Sequence, residues 1–294
     1  MTLKLSLPRT AIALPREPRV WLGAVLLLLL LLTAVCAPWL APHAPNATDL
    51  MNTALPPAWD AAGNRAFPLG TDTLGRDILS RLMYSARITV IVATVAPLGA
   101  ATLGTILALV GGYFGGRIDA LILRIVDVWM SFPAVVFAMI LMAALSPGIW
   151  NVVISIIVVD WTRFCRVLRS DVVVVRRMDY IAAARLAGAT HTRAILRDVV
   201  PGISGTFMTL FSMEMGIGVI AESVLSFVGM SVPGNVPTWG VMIADGLGNV
   251  YSAPWALATP IICTILTILA TTLLGEGLRR TFDAKMLQRN GEGA

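Results

Sequence analysis

The chain has 294 residues, of which 57% are hydrophobic and only 13% charged, and its mean hydropathy is +0.80. Soluble domains carry about 25% charged residues, and a fold of this size cannot hide so much apolar surface from water, so the solvent is lipid. The net charge of +5 fits basic loops on one side of a bilayer, and no basic patch interleaved with aromatics points to nucleic acid.

Cys36, Cys165 and Cys263 lie in or beside apolar stretches without CxxC spacing, and His43 and His191 are the only histidines. That set suggests neither a metal site nor a disulfide framework. Four cations, Lys4, Arg9, Arg16 and Arg19, precede the first apolar run. Val20 to Ala37 is free of charge and longer than the h-region of a signal peptide, so residues 20–40 are expected to be a retained transmembrane helix behind a tail over 1–19. A polar, Pro-punctuated loop follows over 41–86, with "APHAP" and "LPPAW" as breakers.

The second expected span lies within Ile88–Gly112, before the glycines of "GGYFGG". A third runs over about 120–145 and closes at Ser146–Gly148. The fourth, about 149–168, is crowded in its second half by Asp160, Arg163 and Arg166. A fifth covers about 203–229, and a sixth about 255–276 follows the loop "VPGNVPTWG". The fold class is thus all-α, polytopic, with six transmembrane helices and a tail over 278–294.

Six spans put both termini on one side. The cations divide 18 to 4 in favour of that side, which places the termini in the cytoplasm of a plasma-membrane protein. The polar stretch "DYIAAARLAGATHTRAILRDVVPG", Asp179–Gly202, then falls in a cytoplasmic loop over 170–202. Its alanines, leucines and arginines favour helix, Gly188 breaks it, and Pro201 sits where the fifth span can begin. Such a short helix either docks into a partner's groove or rests on the headgroups.

At this point the chain resembles the permease subunits of bacterial ABC importers. Ala182-Ala183-Ala184, three residues to Gly188, then nine to Asp198-x-Val200-Pro201 follow the spacing of their Glu-Ala-Ala loop. Ala182 stands where the pattern has glutamate, Asp198 where it has isoleucine and Val200 where it has leucine. The resemblance implies a coupling helix carrying Ala182, Ala183, Ala184, Arg185, Gly188, Asp198 and Pro201, docked on an ATPase subunit. A second motif, Gly70-Thr71-Asp72-x-x-Gly75-Arg76-Asp77, resembles the signature of the second permease subunit of dipeptide, oligopeptide and nickel importers. Gly70 and Gly75 permit tight turns, and Asp72 or Asp77 can cap the next helix. It is either a structured element at the extracytoplasmic mouth, touching a binding protein, or a capped turn that orients span two. The resemblance extends over about 67–286, with "AESVLSFVG", "SAPW" and "LLGEGLRRTFDAKM" adding to it.

The only lysines are Lys4 and Lys285, and neither follows a glycine-rich loop, so this chain is not itself a P-loop ATPase and no catalytic residue is expected in it. By resemblance, two ATP-binding subunits use ATP and magnesium, a second related permease completes the pathway, and a substrate-binding protein delivers the solute. Peptides are the expected solute, with nickel or another small solute as the alternative. Intramembrane ionisable groups are candidates for the path: Asp127, Glu214 and Glu222, with Asp160 and Arg163 able to pair within one helix turn. Glu214 and Glu222, eight residues apart, fall about 80° apart on a helix. A stand-alone secondary transporter is the rival from another class, and it would leave the polar cytoplasmic loop idle.

Overall fold

The computed structural model describes residues 17–291, with side-chain contacts described for 17–281. Lys4, Arg9 and Arg16 of the expected N-terminal tail, and the side chains of Lys285 and Arg289, lie outside those residues. Among the described residues every regular element is helical: α1 (Pro18–Leu40), α2 (Ile78–Phe114), α3 (Gly116–Met130), α4 (Ala134–Ala144), α5 (Ile149–Val175), α6 (Asp179–Leu186), α7 (His191–Ala194), α8 (Val200–Phe227), α9 (Trp239–Leu247) and α10 (Pro254–Gly291). A π turn, Ile195–Val199, joins α7 to α8 without a break.

Four helical runs are long and apolar enough to cross a bilayer: Pro18–Leu40, Ile78–Phe114, His191–Phe227 and Pro254–Thr281. The third expected span is not one straight helix. α3 and α4 meet at an angle of 84° across residues 131–133. The cause is in the sequence "SFP": a proline disfavours helix at the residue before it and has no N–H of its own to donate. The Pro133 carbonyl then starts α4 by accepting from the Phe137 amide at 2.9 Å. The fourth expected span is α5, which continues to Val175; with Asp160, Arg163 and Arg166 in it, it is less apolar than the other four. Its 27 residues still extend for about 40 Å, more than the hydrocarbon core of about 30 Å.

α2 is the axis of the molecule. It starts ten residues before the expected span, because Asp77 caps it by accepting from the Ser80 amide at 3.1 Å. One face carries small buried residues, Ala93, Ala96, Ala100, Ala101, Gly104 and Ala108, and α5 lies along it. A Cβ on Gly104 would come within 2.4 Å of the Trp161 carbonyl oxygen, so the two backbones are in near contact. In lipid there is no water to expel between helices, and such close packing of small residues is what holds them together. α8 packs against α2, α5 and α10, and α1 closes the other flank against α10 and α2. The outward faces of α1 and α10 remain apolar and exposed, as at Leu28, Leu32, Ile262 and Ile265, which suits lipid.

Candidate functional site

The two motifs lie at opposite ends of α2, about 55 Å apart along a 37-residue helix. At the first end, residues 67–77 fold back on 49–55. The Thr71 hydroxyl accepts from the Leu55 amide at 2.9 Å and donates to the Asn52 carbonyl at 2.6 Å. Asp72 closes the turn: it accepts from the amides of Leu74 and Arg76, both at 2.9 Å, and from Arg76 Nε at 2.6 Å. Gly75 adopts φ +72°, and a Cβ there would stand 1.9 Å from the Asp49 carbonyl oxygen. Asn52 Nδ2 and the Met51 amide donate to the Asp49 carboxylate and hold it below the usual carboxylate range.

This knot also gathers the chain from elsewhere. Trp255 Nε1, in the first turn of α10, donates to the Thr71 carbonyl at 3.2 Å, and Arg76 Nη2 donates to Asp245 of α9 at 3.1 Å. Gly70, with φ +79°, turns the chain so that Thr71 and Asp77 form a bridge. Asp77 is therefore the cap and Asp72 the turn closer. Bonded to the 49–55 fold-back, Ser80, Asp245 and Trp255, with Asp77 Oδ1 left buried without a hydrogen-bond partner among the described residues, the six motif residues form a structural knot at the entrance of α2, α9 and α10.

At the other end, α6 is anchored by Ile181, which is buried, and it exposes Ala182, Ala183 and Leu186, the last to 90%. Gly188 ends it with φ +88°. Its amide donates to the Arg185 carbonyl, and the Ala189 amide donates to the Ala184 carbonyl, both at 3.0 Å. This is the Schellman closure of a helix, and it needs a left-handed residue at Gly188. Nothing lies within 4 Å of a Cβ built there. Thr190 then caps α7, accepting from the Arg193 amide at 3.3 Å.

Tyr113 and Arg176, not singled out from sequence, hold this segment together with His191 and Arg185. His191 Nδ1 lies 3.1 Å from the Tyr113 hydroxyl at the end of α2, and its Nε2 lies 3.0 Å from Arg185 Nη2. A guanidinium only donates, so Nε2 accepts and the proton sits on Nδ1, donated to Tyr113. The Tyr113 carbonyl in turn accepts from Arg176 Nη1 at 2.7 Å. These partners are up to 78 positions apart in the chain, and no local spacing reveals them.

Asp198 lies partly buried in the π turn, and Pro201 is exposed. Pro201 lies in the first turn of α8, as expected, but the helix does not start afresh there: it continues without a break from His191 through the π turn to Phe227. The wider turn is the reason. The Val200 amide reaches back five residues to the Ile195 carbonyl, which eases the clash a proline ring makes with the carbonyl four residues before it.

The candidates for a polar path have separate partners. Asp127, on α3, is exposed and pairs with Arg166 of α5. Glu214 is buried and accepts from Arg163 Nη1 at 3.3 Å, while Arg163 Nε lies 3.9 Å from Asp160. Glu222 is fully buried and takes hydrogen bonds from Ser226 and Ser231, so it fastens the loop after α8 instead of joining the others.

Comparison with known proteins adds to this geometry. The family described as "Binding-protein-dependent transport system inner membrane component" matches residues 100–288, and the "N-terminal TM domain of oligopeptide transport permease C" matches residues 13–57. The chain is 30% identical over 267 residues to the dipeptide transport system permease protein DppC of Haemophilus influenzae, covering 91% of this chain and 90% of that one. It is 32% identical to the di/tripeptide transport system permease protein DppC of Pseudomonas aeruginosa, covering 90% of this chain and 87% of that one. It is 33% identical to the dipeptide transport system permease protein DppC of Bacillus subtilis, covering 90% and 81%. With more than half its length matched and apolar helices packed as a membrane bundle, the chain belongs to the family of inner membrane components of binding-protein-dependent transport systems.

Proposed function

We propose that this chain is the second permease subunit of an ATP-driven peptide importer and forms half of its translocation pathway. The dipeptide permeases to which it is similar support peptides as the solute. Six crossings, by α1, α2, the bent pair α3–α4, α5, α8 and α10, put both termini in the cytoplasm, in keeping with the 18 to 4 division of cations. The knot around Gly70–Asp77 then faces outward, where a binding protein delivers the solute. The loop with α6 and α7 faces the cytoplasm.

The observation that carries the reading is the form of α6. It is a rigid, capped helix, stapled to the ends of α2 and α5, that leaves Ala182, Ala183 and Leu186 uncovered. A flat alanine face with one protruding leucine suits insertion into a groove on a soluble partner. Two ATP-binding subunits fill that role and hydrolyse ATP with magnesium, which this chain does not bind. A second, related permease supplies the other half of the path. Closure of the ATPases draws the docked segments together, and the continuous rod from His191 to Phe227 carries the movement into the membrane.

The test is purification of this chain in mild detergent, with its companions identified by mass spectrometry, for the natural protein and for Gly188→Pro. The natural chain brings down an ATPase and a sister permease. The variant cannot adopt φ +88°, loses the reversal after α6 and recovers the sister permease without the ATPase. Recovery of the natural chain alone, under conditions that preserve known complexes, refutes the importer reading in favour of a stand-alone transporter.

A further inference from the structure

A charge cluster at the middle of the molecule has no part in the function as proposed so far. Asp160 and Arg163 lie near the midpoint of α5, and Glu214 lies at the midpoint of α8. Helix midpoints fall near the centre of the bilayer, where a charge is costly and an ionisable group marks a site by default. Here two carboxylates share one guanidinium. Arg163 Nη1 donates to Glu214 at 3.3 Å, and Nε stands 3.9 Å from Asp160, which is beyond a hydrogen bond.

Asp160 is the informative member. Its side chain is 8% exposed, yet among the described residues its carboxylate accepts no hydrogen bond. It lines a cleft at the α3–α4 bend together with Trp129, Phe132, Ala134 and Arg163, and with Arg163 it also borders the apolar space against Ile217 of α8. Buried carboxylates normally spend their lone pairs on donors. One here is held ready beside a cavity, in a cluster whose formal charge is −1.

We infer that Asp160, backed by the Arg163–Glu214 pair, forms a subsite for the primary ammonium of the peptide in transit. This rests on the peptide-import reading and deepens it. An incoming ammonium brings three N–H donors and the missing positive charge, whereas an incoming carboxylate would add to the excess of negative charge. Arg163 keeps Glu214 satisfied when the site is empty, so the path carries at most one unbalanced charge between passages. A single such contact binds strongly enough to draw the solute from the outer mouth and weakly enough to release it inward.

The test uses the complete importer with its binding protein in proteoliposomes, measuring peptides imported per ATP hydrolysed. Dialanine is the probe whose ammonium is at the amino terminus, and acetyl-alanyl-lysine is the probe whose ammonium is on a side chain. In Asp160→Asn the ratio for dialanine falls at least fivefold, and in Asp160→Glu it stays within twofold of the natural protein. A loss with acetyl-alanyl-lysine but not with dialanine overturns the amino-terminal assignment. An unchanged ratio for Asp160→Asn with both probes overturns the subsite. Native mass spectrometry of the same sample serves as the second readout: if Asp160→Asn has lost the sister permease, the cluster holds that subunit and the subsite is overturned as well. Failure of the natural complex to import either peptide, with ATP hydrolysis intact, refutes the peptide reading instead.

Discussion

The knot at Gly70–Asp77 and the segment at Asp179–Thr190 solve the same local problem to opposite ends. Each reverses the chain through a glycine with positive φ. At Gly75 the reversal brings backbone against backbone, with the Asp49 carbonyl 1.9 Å from where a Cβ would be. At Gly188 a Cβ would meet nothing within 4 Å. The first glycine is required for packing as well as conformation, the second for conformation alone. The knot turns its hydrogen-bonding groups inward; α6 leaves a face uncovered. An element finished by its own chain is a scaffold, and an element left open is the one available to another molecule.

Substitutions can break this contrast. The largest effect is expected for Gly75→Ala, which combines left-handed strain with a backbone collision and costs about 3 kcal/mol or more. Thermal unfolding of the purified protein in detergent should show a large drop, or no folded protein at all. Gly188→Pro should leave that transition in place but remove the ATPase from the purified complex. Next is Thr71→Val, which removes the hydroxyl that links Asn52 and Leu55 and should cost about 1 kcal/mol by leaving a part-buried amide and carbonyl unpaired. The smallest effect sharpens the comparison: Gly188→Ala meets no neighbour and costs only its backbone strain, about 1 kcal/mol. ATPase capture should survive it. An equal loss of stability for Gly75→Ala and Gly188→Ala would erase the distinction between the two ends.

What was legible in the sequence was what local chemistry decides. The motif spacing marked the knot and the Gly188 break after α6, and Asp77 is one of the two named candidates for the helix cap. The apolar runs placed the long helices to within about two turns, except where a polar start extends α2 and where the third expected span is two helices meeting at 84°. Residues 78–86 fall within the loop expected over 41–86, yet Asp77 caps a helix there and Arg81 is buried beside Asp72 and Asp245. The bend after Met130 was legible in Pro133 but was hidden by the apolar composition on both sides. The staple of Tyr113, His191 and Arg185, and the reach of Arg163 to Glu214 across 51 positions, depend on how helices lie against one another. No window along a single chain contains that information.

The π turn before Pro201 has a mechanical meaning. A helix gains its stiffness from an even ladder of hydrogen bonds, and the rod from His191 to Phe227 changes pitch at only one stretch among its described residues, Ile195–Val199. That stretch lies between the docking segment and the first apolar turn of α8. Above it the 28 residues of α8 form a single helix that carries Glu214 and Glu222. A thrust delivered at the foot of the rod would meet this change of pitch before it met the buried carboxylates.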